Sequence, residues 1–163
     1  MPEPIDPGPD QESVWDYPRP PALDEEDRRI RVIFNDTTIA DTSGAIRVLE
    51  TSHPPTYYLP PQDVAMESLR ETDRTTMCEF KGRAVYFTVS VGTRRATTAA
   101  WSYPDPTPRY SRLTDYVAFY PSKMDRCLVG DEVARAQEGD FYGGWITDDI
   151  VGPFKGAPGT GGW

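Results

Sequence analysis

Proline and glycine interrupt this chain so often that long helices have no room to form. Seventeen prolines and thirteen glycines are distributed over 163 residues. Proline removes a backbone donor and breaks helices, so the segments between the interruptions must be short. From "RIRVIFN" onward, turn residues recur at spacings of roughly ten residues, the pattern of an all-β sandwich or barrel. The chain is long enough to bury a core as one domain with a tail. The expected class is therefore mainly β: a compact sandwich or barrel of short antiparallel strands, with one short helix near residues 62–71.

Local patterns fill in that outline. Asn35-Asp36 supplies turn residues between "RIRVIF" and "TTIADT", which reads as a hairpin. In "AIRVLET" an extended backbone puts Ile46, Val48 and Glu50 on one face and Arg47, Leu49 and Thr51 on the other. Pro60-Pro61 opens the one plausible helix, with Asp63 in its first turn. Val85, Phe87, Val89 and Val91 alternate as the apolar face of a strand. The glycine-rich end keeps Phe141, Tyr142, Trp145, Phe154 and Trp163, which argue that it packs on the body.

Charge divides the chain. The net charge is -9. Residues 1–27 hold nine acids and one arginine, leaving the body close to neutral. Residues 1–11 read as an acidic, proline-rich disordered tail. Residues 12–163 read as a single β-rich domain, of which 12–28 form an extended arm carrying Trp15 and Tyr17. No basic footprint for nucleic acid appears beyond Arg94-Arg95, so nucleic acid is not an expected partner. No apolar run approaches the length needed to span a membrane. The N-terminus lacks a secretion signal, and the expected location is cytoplasmic.

Cys78 and Cys127 lie far apart in the sequence, and no Cys-x-x-Cys pair exists. Free thiols are expected in place of a disulfide or a zinc site, and no metal or cofactor is expected. The segment "GAPGTGG" lacks the spacing and context of a phosphate-binding loop.

The chemistry-bearing stretch is "VLETSHPPTYYLPP". It holds the only histidine, His53, three residues after Glu50 and framed by prolines. His53 precedes Pro54 and is biased to extended backbone, so the loop is preorganised, as loops that bind ligands often are. An inward-pointing Glu50 needs a partner, and it would orient the imidazole. Otherwise His53 is a structural loop residue and Glu50 meets an arginine. Glu79 and Lys81 would share one face of a strand, opposite Cys78 and Phe80. That makes them either an anion contact or an exposed pair of little energetic weight.

Several stretches together carry a resemblance: "RVLETSHPPTYYLP", "CEFKGRAVYF", "AAWSYPDP", "YVAFYP" and "GGWITDDIVGPFKGAPGT". Across residues 12–163 the chain resembles the bacterial family known as domain of unknown function 427, sometimes labelled nucleotidyltransferase-like. The resemblance implies a β-tent-like fold, similar to methionine sulfoxide reductase B and cereblon-type ligand-binding domains. Several such relatives hold zinc through two Cys-x-x-Cys pairs, which this chain lacks, so no zinc is carried over. The family pattern falls on Glu50, Ser52, His53, Pro54, Tyr57, Tyr58, Cys78, Lys81, Gly82, Trp101, Tyr103, Gly143, Gly144 and Trp145.

These residues imply an aromatic-lined pocket for an unknown small molecule near Glu50, His53 and Lys81. Ser52, Tyr57, Lys81, Trp101, Tyr103 and Trp145 are the expected ligand-binding residues. The alternative is an enzyme in the same pocket, with Glu50 and His53 as an acid–base pair and Cys78 as nucleophile. A third reading makes the protein an interaction module acting through its acidic tail. Oligomeric state is left open by the sequence.

Overall fold

The computed structural model describes residues 2–139 and 141–163. Its first strands are β1 (Glu12–Ser13), β2 (Ala22–Glu26), β3 (Ile30–Phe34), β4 (Thr37–Thr42), β5 (Ala45–Leu49) and β6 (Thr56–Leu59). Three long strands and a short one follow: β7 (Leu69–Cys78), β8 (Gly82–Val91), β9 (Arg94–Ser102) and β10 (Val117–Phe119). The remainder are β11 (Arg126–Val129), β12 (Glu132–Val133), β13 (Arg135–Ala136), β14 (Trp145–Ile146) and β15 (Ile150–Val151).

Seven strands form one sheet in the order β2-β5-β6-β10-β9-β8-β7, and four form a second in the order β12-β11-β3-β4. The neighbours in both sheets run antiparallel. The seven-stranded sheet ends at β2 and β7, so it does not close into a barrel. The β3–β4 hairpin turns at Asn35 and Asp36, whose φ values of 51° and 56° suit a tight turn with matching twist.

One apolar cluster joins the two sheets. Ile30, Val32 and Phe34 of β3 and Ile39 of β4 pack with Tyr57, Leu59, Val85, Phe87, Val89 and Phe119 of the larger sheet. A second cluster lies on the other face of that sheet, through Ile46, Val48, Tyr58, Ala84, Tyr86 and Trp101. The larger sheet is thus apolar on both faces. Strand alternation decides which cluster each residue joins.

The short helix expected near residues 62–71 is not formed. Two 3-10 turns stand there, Pro61–Asp63 and Met66–Ser68, and Leu69 already begins β7. An isolated helix of about ten residues is marginal. Here Leu69, Arg70 and Glu71 instead pair with Val89, Thr88 and Phe87 of β8, and the ladder outweighs the local propensity.

The N-terminal arm lies on the chain's own body. β2 pairs with β5, and β1 runs parallel to β15. Arg47, with its side chain only 8% exposed, meets Glu12 at 3.0 Å, Asp24 at 2.7 Å and Glu26 at 3.7 Å. Tyr110 donates its hydroxyl to Pro21 O at 2.8 Å, and Trp15 Nε1 donates to Pro153 O at 2.9 Å. Within residues 2–11, the Ile5 N–H donates to Gly152 O at 2.9 Å and Gln11 Nε2 to Asp148 O at 2.9 Å. No helix among the described residues is long and apolar enough to cross a membrane.

Candidate functional site

The loop between β5 and β6 carries His53 and is held from two directions. The Ser52 N–H donates to Val14 O of the arm at 3.0 Å, and the Lys155 N–H donates to Ser52 O at 2.8 Å. The His53 N–H closes a turn onto Glu50 O at 3.0 Å, and the Trp145 N–H donates to Pro55 O at 2.8 Å. Ser52 is bent to a φ of 72°, outside the region where a serine sits freely. Its hydroxyl is fully buried and has no hydrogen-bond partner among the described residues.

This loop forms one wall of a cavity of about 350 Å³ on the outer face of the seven-stranded sheet. Val48 and Glu50 line it, as the alternation in "AIRVLET" requires, together with His53, Cys78, Lys81, Trp101 and Tyr103. Six of the nine candidate residues therefore meet in one place. The other three do not reach it. Ser52 is buried behind the loop. Tyr57 and Trp145 stack on each other in the inter-sheet core, their ring centroids 4.7 Å apart.

Tyr58 is the tyrosine of the pair that faces the cavity. Adjacent strand residues point to opposite faces, so only one of Tyr57 and Tyr58 can enter. The Tyr58 hydroxyl accepts a hydrogen bond from Trp101 Nε1 at 3.1 Å. Tyr86, Tyr120 and Tyr142 line the cavity as well. Trp101 lies 4.6 Å from the Tyr120 ring, and Tyr142 meets the His53 ring edge-on at 4.9 Å. Burial raises the Tyr58, Tyr103 and Tyr120 hydroxyls above the ordinary tyrosine range, so these phenols keep their protons.

The strand parity expected across Cys78, Glu79, Phe80 and Lys81 fails. β7 ends at Cys78 and β8 begins at Gly82, which leaves 79–81 as a turn. Gly82 has a φ of 106°, open to glycine and strained for other residues, and Thr107 anchors the turn by bonding Lys81 O at 3.0 Å and Phe80 O at 2.6 Å. The reversal brings Cys78 and Lys81 to the same cavity. Glu79 is exposed, whereas Lys81 is only 8% exposed, so the two are not the solvent-facing pair that alternation suggests. Lys81 Nζ stands 5.7 Å from the Tyr103 ring centroid and forms no ion pair among the described residues, with the Cys78 side chain as its hydrogen-bonding neighbour. Burial alone would pull its ammonium down. The surrounding Tyr58, Cys78 and Glu50 more than offset that, so it stays protonated.

His53 owes its orientation to a residue that the sequence did not single out. Gln137 Oε1 accepts the Gly144 N–H at 3.1 Å, and Gln137 Nε2 donates to Lys155 O at 2.7 Å. The remaining Nε2 proton points to His53 Nδ1 at 3.2 Å. Nδ1 is then the acceptor, and the ring proton sits on Nε2, which faces Glu50 Oε2 at 3.8 Å. That separation is too long for a hydrogen bond. Glu50 Oε2 also lies 3.7 Å from Arg19 Nε. Burial, aided by the nearby Lys155, Arg19 and Lys81 cations, lowers His53 to about 4, so the imidazole is neutral at pH 7. No local pattern marks Gln137, which is brought in from a distant segment.

Cys127 is buried in the inter-sheet core, where burial raises its thiol well above the ordinary range. Cys78 and Cys127 are both free. Among the described residues no group of three or more His, Cys, Asp or Glu side chains is placed to hold a metal ion.

A family model described as domain of unknown function (DUF427) matches residues 22–130. The match takes in Glu50, His53, Cys78, Lys81, Trp101 and Tyr103, and stops before the wall formed by Gln137, Tyr142 and Lys155. No curated protein matches the chain.

Proposed function

The chain belongs to the DUF427 family, and on that premise we propose that it binds a small molecule in the aromatic cavity beside Glu50, His53 and Lys81. One observation carries the reading. Six candidate residues from three separate stretches of sequence line a single cavity of about 350 Å³, within the size range of small-ligand sites. Trp101, Tyr103 and Tyr58 provide apolar walls with polar edges, and Lys81 provides the charge. The clamped loop at Ser52 and the Gln137 contact hold His53 in one orientation before any ligand arrives, which lowers the ordering cost of binding.

Acid–base catalysis by Glu50 and His53 has weaker support. A histidine lowered to about 4 is a poor proton carrier near neutral pH, and its carboxylate neighbour is out of hydrogen-bond range.

The test is a thermal-shift screen against a metabolite library, followed by NMR of each hit. A ligand at about 100 times its Kd adds roughly 2.7 kcal/mol of stability, a shift of several degrees at this size. Hits with intermolecular contacts to the Trp101 and Tyr103 rings support the reading. A screen without hits, or hits that contact only other surfaces, sinks it. Turnover of a hit that is lost in Glu50→Gln would replace binding with catalysis as the function.

A further inference from the structure

The chain contains three lysines, Lys81, Lys123 and Lys155, and two of them line the one cavity described above. Their surroundings differ. Lys155 Nζ donates to Trp163 O at 3.3 Å and stands 5.5 Å from the Tyr142 ring centroid. Lys81 is the more deeply buried, and it forms no ion pair with a carboxylate among the described residues; the Cys78 side chain is its hydrogen-bonding neighbour. One of the two lining carboxylates, Glu50, already lies between Arg19 at 3.7 Å and the His53 ring at 3.8 Å. The other lining carboxylate, Glu79, is exposed. His53 adds no positive charge, because Gln137 occupies its Nδ1 and burial keeps it neutral. Neither lining ammonium is paired with a carboxylate among the described residues, and Lys81, the deeper of the two, also lacks the carbonyl contact that Lys155 makes. Burying a charge without a partner is unfavourable, and an anion on the ligand would supply the missing partner.

The walls restrict the rest of that ligand. Tyr58, Tyr86, Trp101, Tyr103 and Tyr120 surround the space beside Lys81 with ring surfaces. A volume of about 350 Å³ lies near the lower end of small-ligand sites, which suits a single ring system better than a dinucleotide. Lys81, the more deeply buried of the two lining ammoniums, marks the place for one negative charge beside the rings.

Resting on the binding function proposed above, we infer that the ligand is a small aromatic monocarboxylate, with its ring among Tyr58, Trp101 and Tyr103 and its carboxylate on Lys81 Nζ. The phenol of Tyr58 keeps its proton and is available as a further donor to the carboxylate.

The experiment uses three probes with the same ring and different charge: benzoate, benzamide and benzylamine. Each is titrated into the full chain at pH 7, with calorimetry for affinity and ligand-observed NMR for location. The expected order is benzoate first, by about tenfold or more over benzamide, with benzylamine weakest, because a charge-assisted hydrogen bond is worth at least that factor. Lys81→Met should reduce benzoate to the level of benzamide, and Lys81→Arg should keep the preference. The charge series in the wild-type protein decides the matter even if Lys81→Met does not fold. Equal binding of benzamide and benzoate with contacts to Trp101 overturns the anion assignment and leaves the cavity as a binding site. Failure of all three probes at millimolar concentration overturns the ligand class. The binding function itself then falls only if the broad library also yields nothing that contacts Trp101 and Tyr103.

Discussion

Gln137 Nε2 donates to His53 Nδ1 across 3.2 Å, and so sets the tautomer of the only histidine in the chain. The assignment is internally determined: the Gln137 oxygen is engaged by the Gly144 N–H and one amide proton by Lys155 O, which leaves the second proton for the ring. Nitrogen-15 NMR at pH 7 should show a neutral imidazole protonated on Nε2. Gln137→Leu should release the ring into a mixture of both tautomers. A wild-type ring protonated on Nδ1 would overturn this hydrogen-bond scheme.

The same histidine makes stability depend on pH. Its folded value is lowered to about 4 from an ordinary 6.5, so the unfolded chain takes up the proton first. Stability contributed by the neutral ring is complete above about pH 6.5, falls as the pH drops, and is fully lost below about pH 4. The shift from 6.5 to about 4 corresponds to an upper limit of ~3.5 kcal/mol, because each pH unit is worth about 1.4 kcal/mol. Urea denaturation of wild type and His53→Gln at pH 7 and pH 4 should show the difference between the two proteins shrinking or reversing on acidification. Parallel pH profiles would show that His53 is not held neutral.

Tyr57 and Tyr58 should respond differently to loss of the hydroxyl. Tyr58→Phe leaves the buried Trp101 Nε1–H without its acceptor, at a cost of about 1–3 kcal/mol. Tyr57→Phe removes only a long 3.4 Å contact from Arg28, and should cost less than about 1 kcal/mol. Denaturation midpoints of the two variants check the order. The reverse order would mean that the faces of β6 are exchanged.

Ser52 carries a buried hydroxyl with no partner among the described residues, and an unsatisfied polar group costs about 1–3 kcal/mol. Ser52→Ala is therefore expected to raise the melting temperature, by up to several degrees. A clear loss of stability in Ser52→Ala would reveal a hydrogen bond to that oxygen.

Gly143 lies under the Trp101 ring. A Cβ at this position would come within 2.8 Å of Trp101 Cζ3 and closer still to Cη2. Gly143→Ala should push the indole toward the cavity, at about 1–3 kcal/mol for the overpacked site. It should also weaken every ligand that touches Trp101. Unchanged stability together with unchanged binding would show that the 143–144 segment does not define this wall.

The fold class was legible in the sequence because turn residues and strand alternation are local. The hairpin at Asn35-Asp36 and the apolar face of Val85, Phe87 and Val89 both stand as the pattern requires. Glu50 lies on the face that alternation assigned to it, with Val48 beside it on the cavity. The short helix near 62–71 was misread because its local preference is weak. Pairing of Leu69 to Glu71 with β8 depends on a strand that local pattern cannot see.

The site divides along the same line. Residue types, a proline-framed histidine, the alternation of "AIRVLET" and the family resemblance pointed to nine residues, of which Glu50, His53, Cys78, Lys81, Trp101 and Tyr103 line the cavity and Ser52, Tyr57 and Trp145 do not. Which of two adjacent tyrosines enters the cavity depends on which face of the larger sheet covers the inter-sheet core, and period-two alternation is silent on that choice. The joint arrival of Cys78 and Lys81 depends on a turn whose reversal abolishes strand parity. Gln137 and Lys155 come from segments that touch the His53 loop only after the C-terminal region folds back. Sequence by itself determined a β protein with a chemically distinctive loop. Tertiary structure alone decided the cavity, because contacts between distant segments are set by sheet packing and not by the neighbours of each residue along the chain.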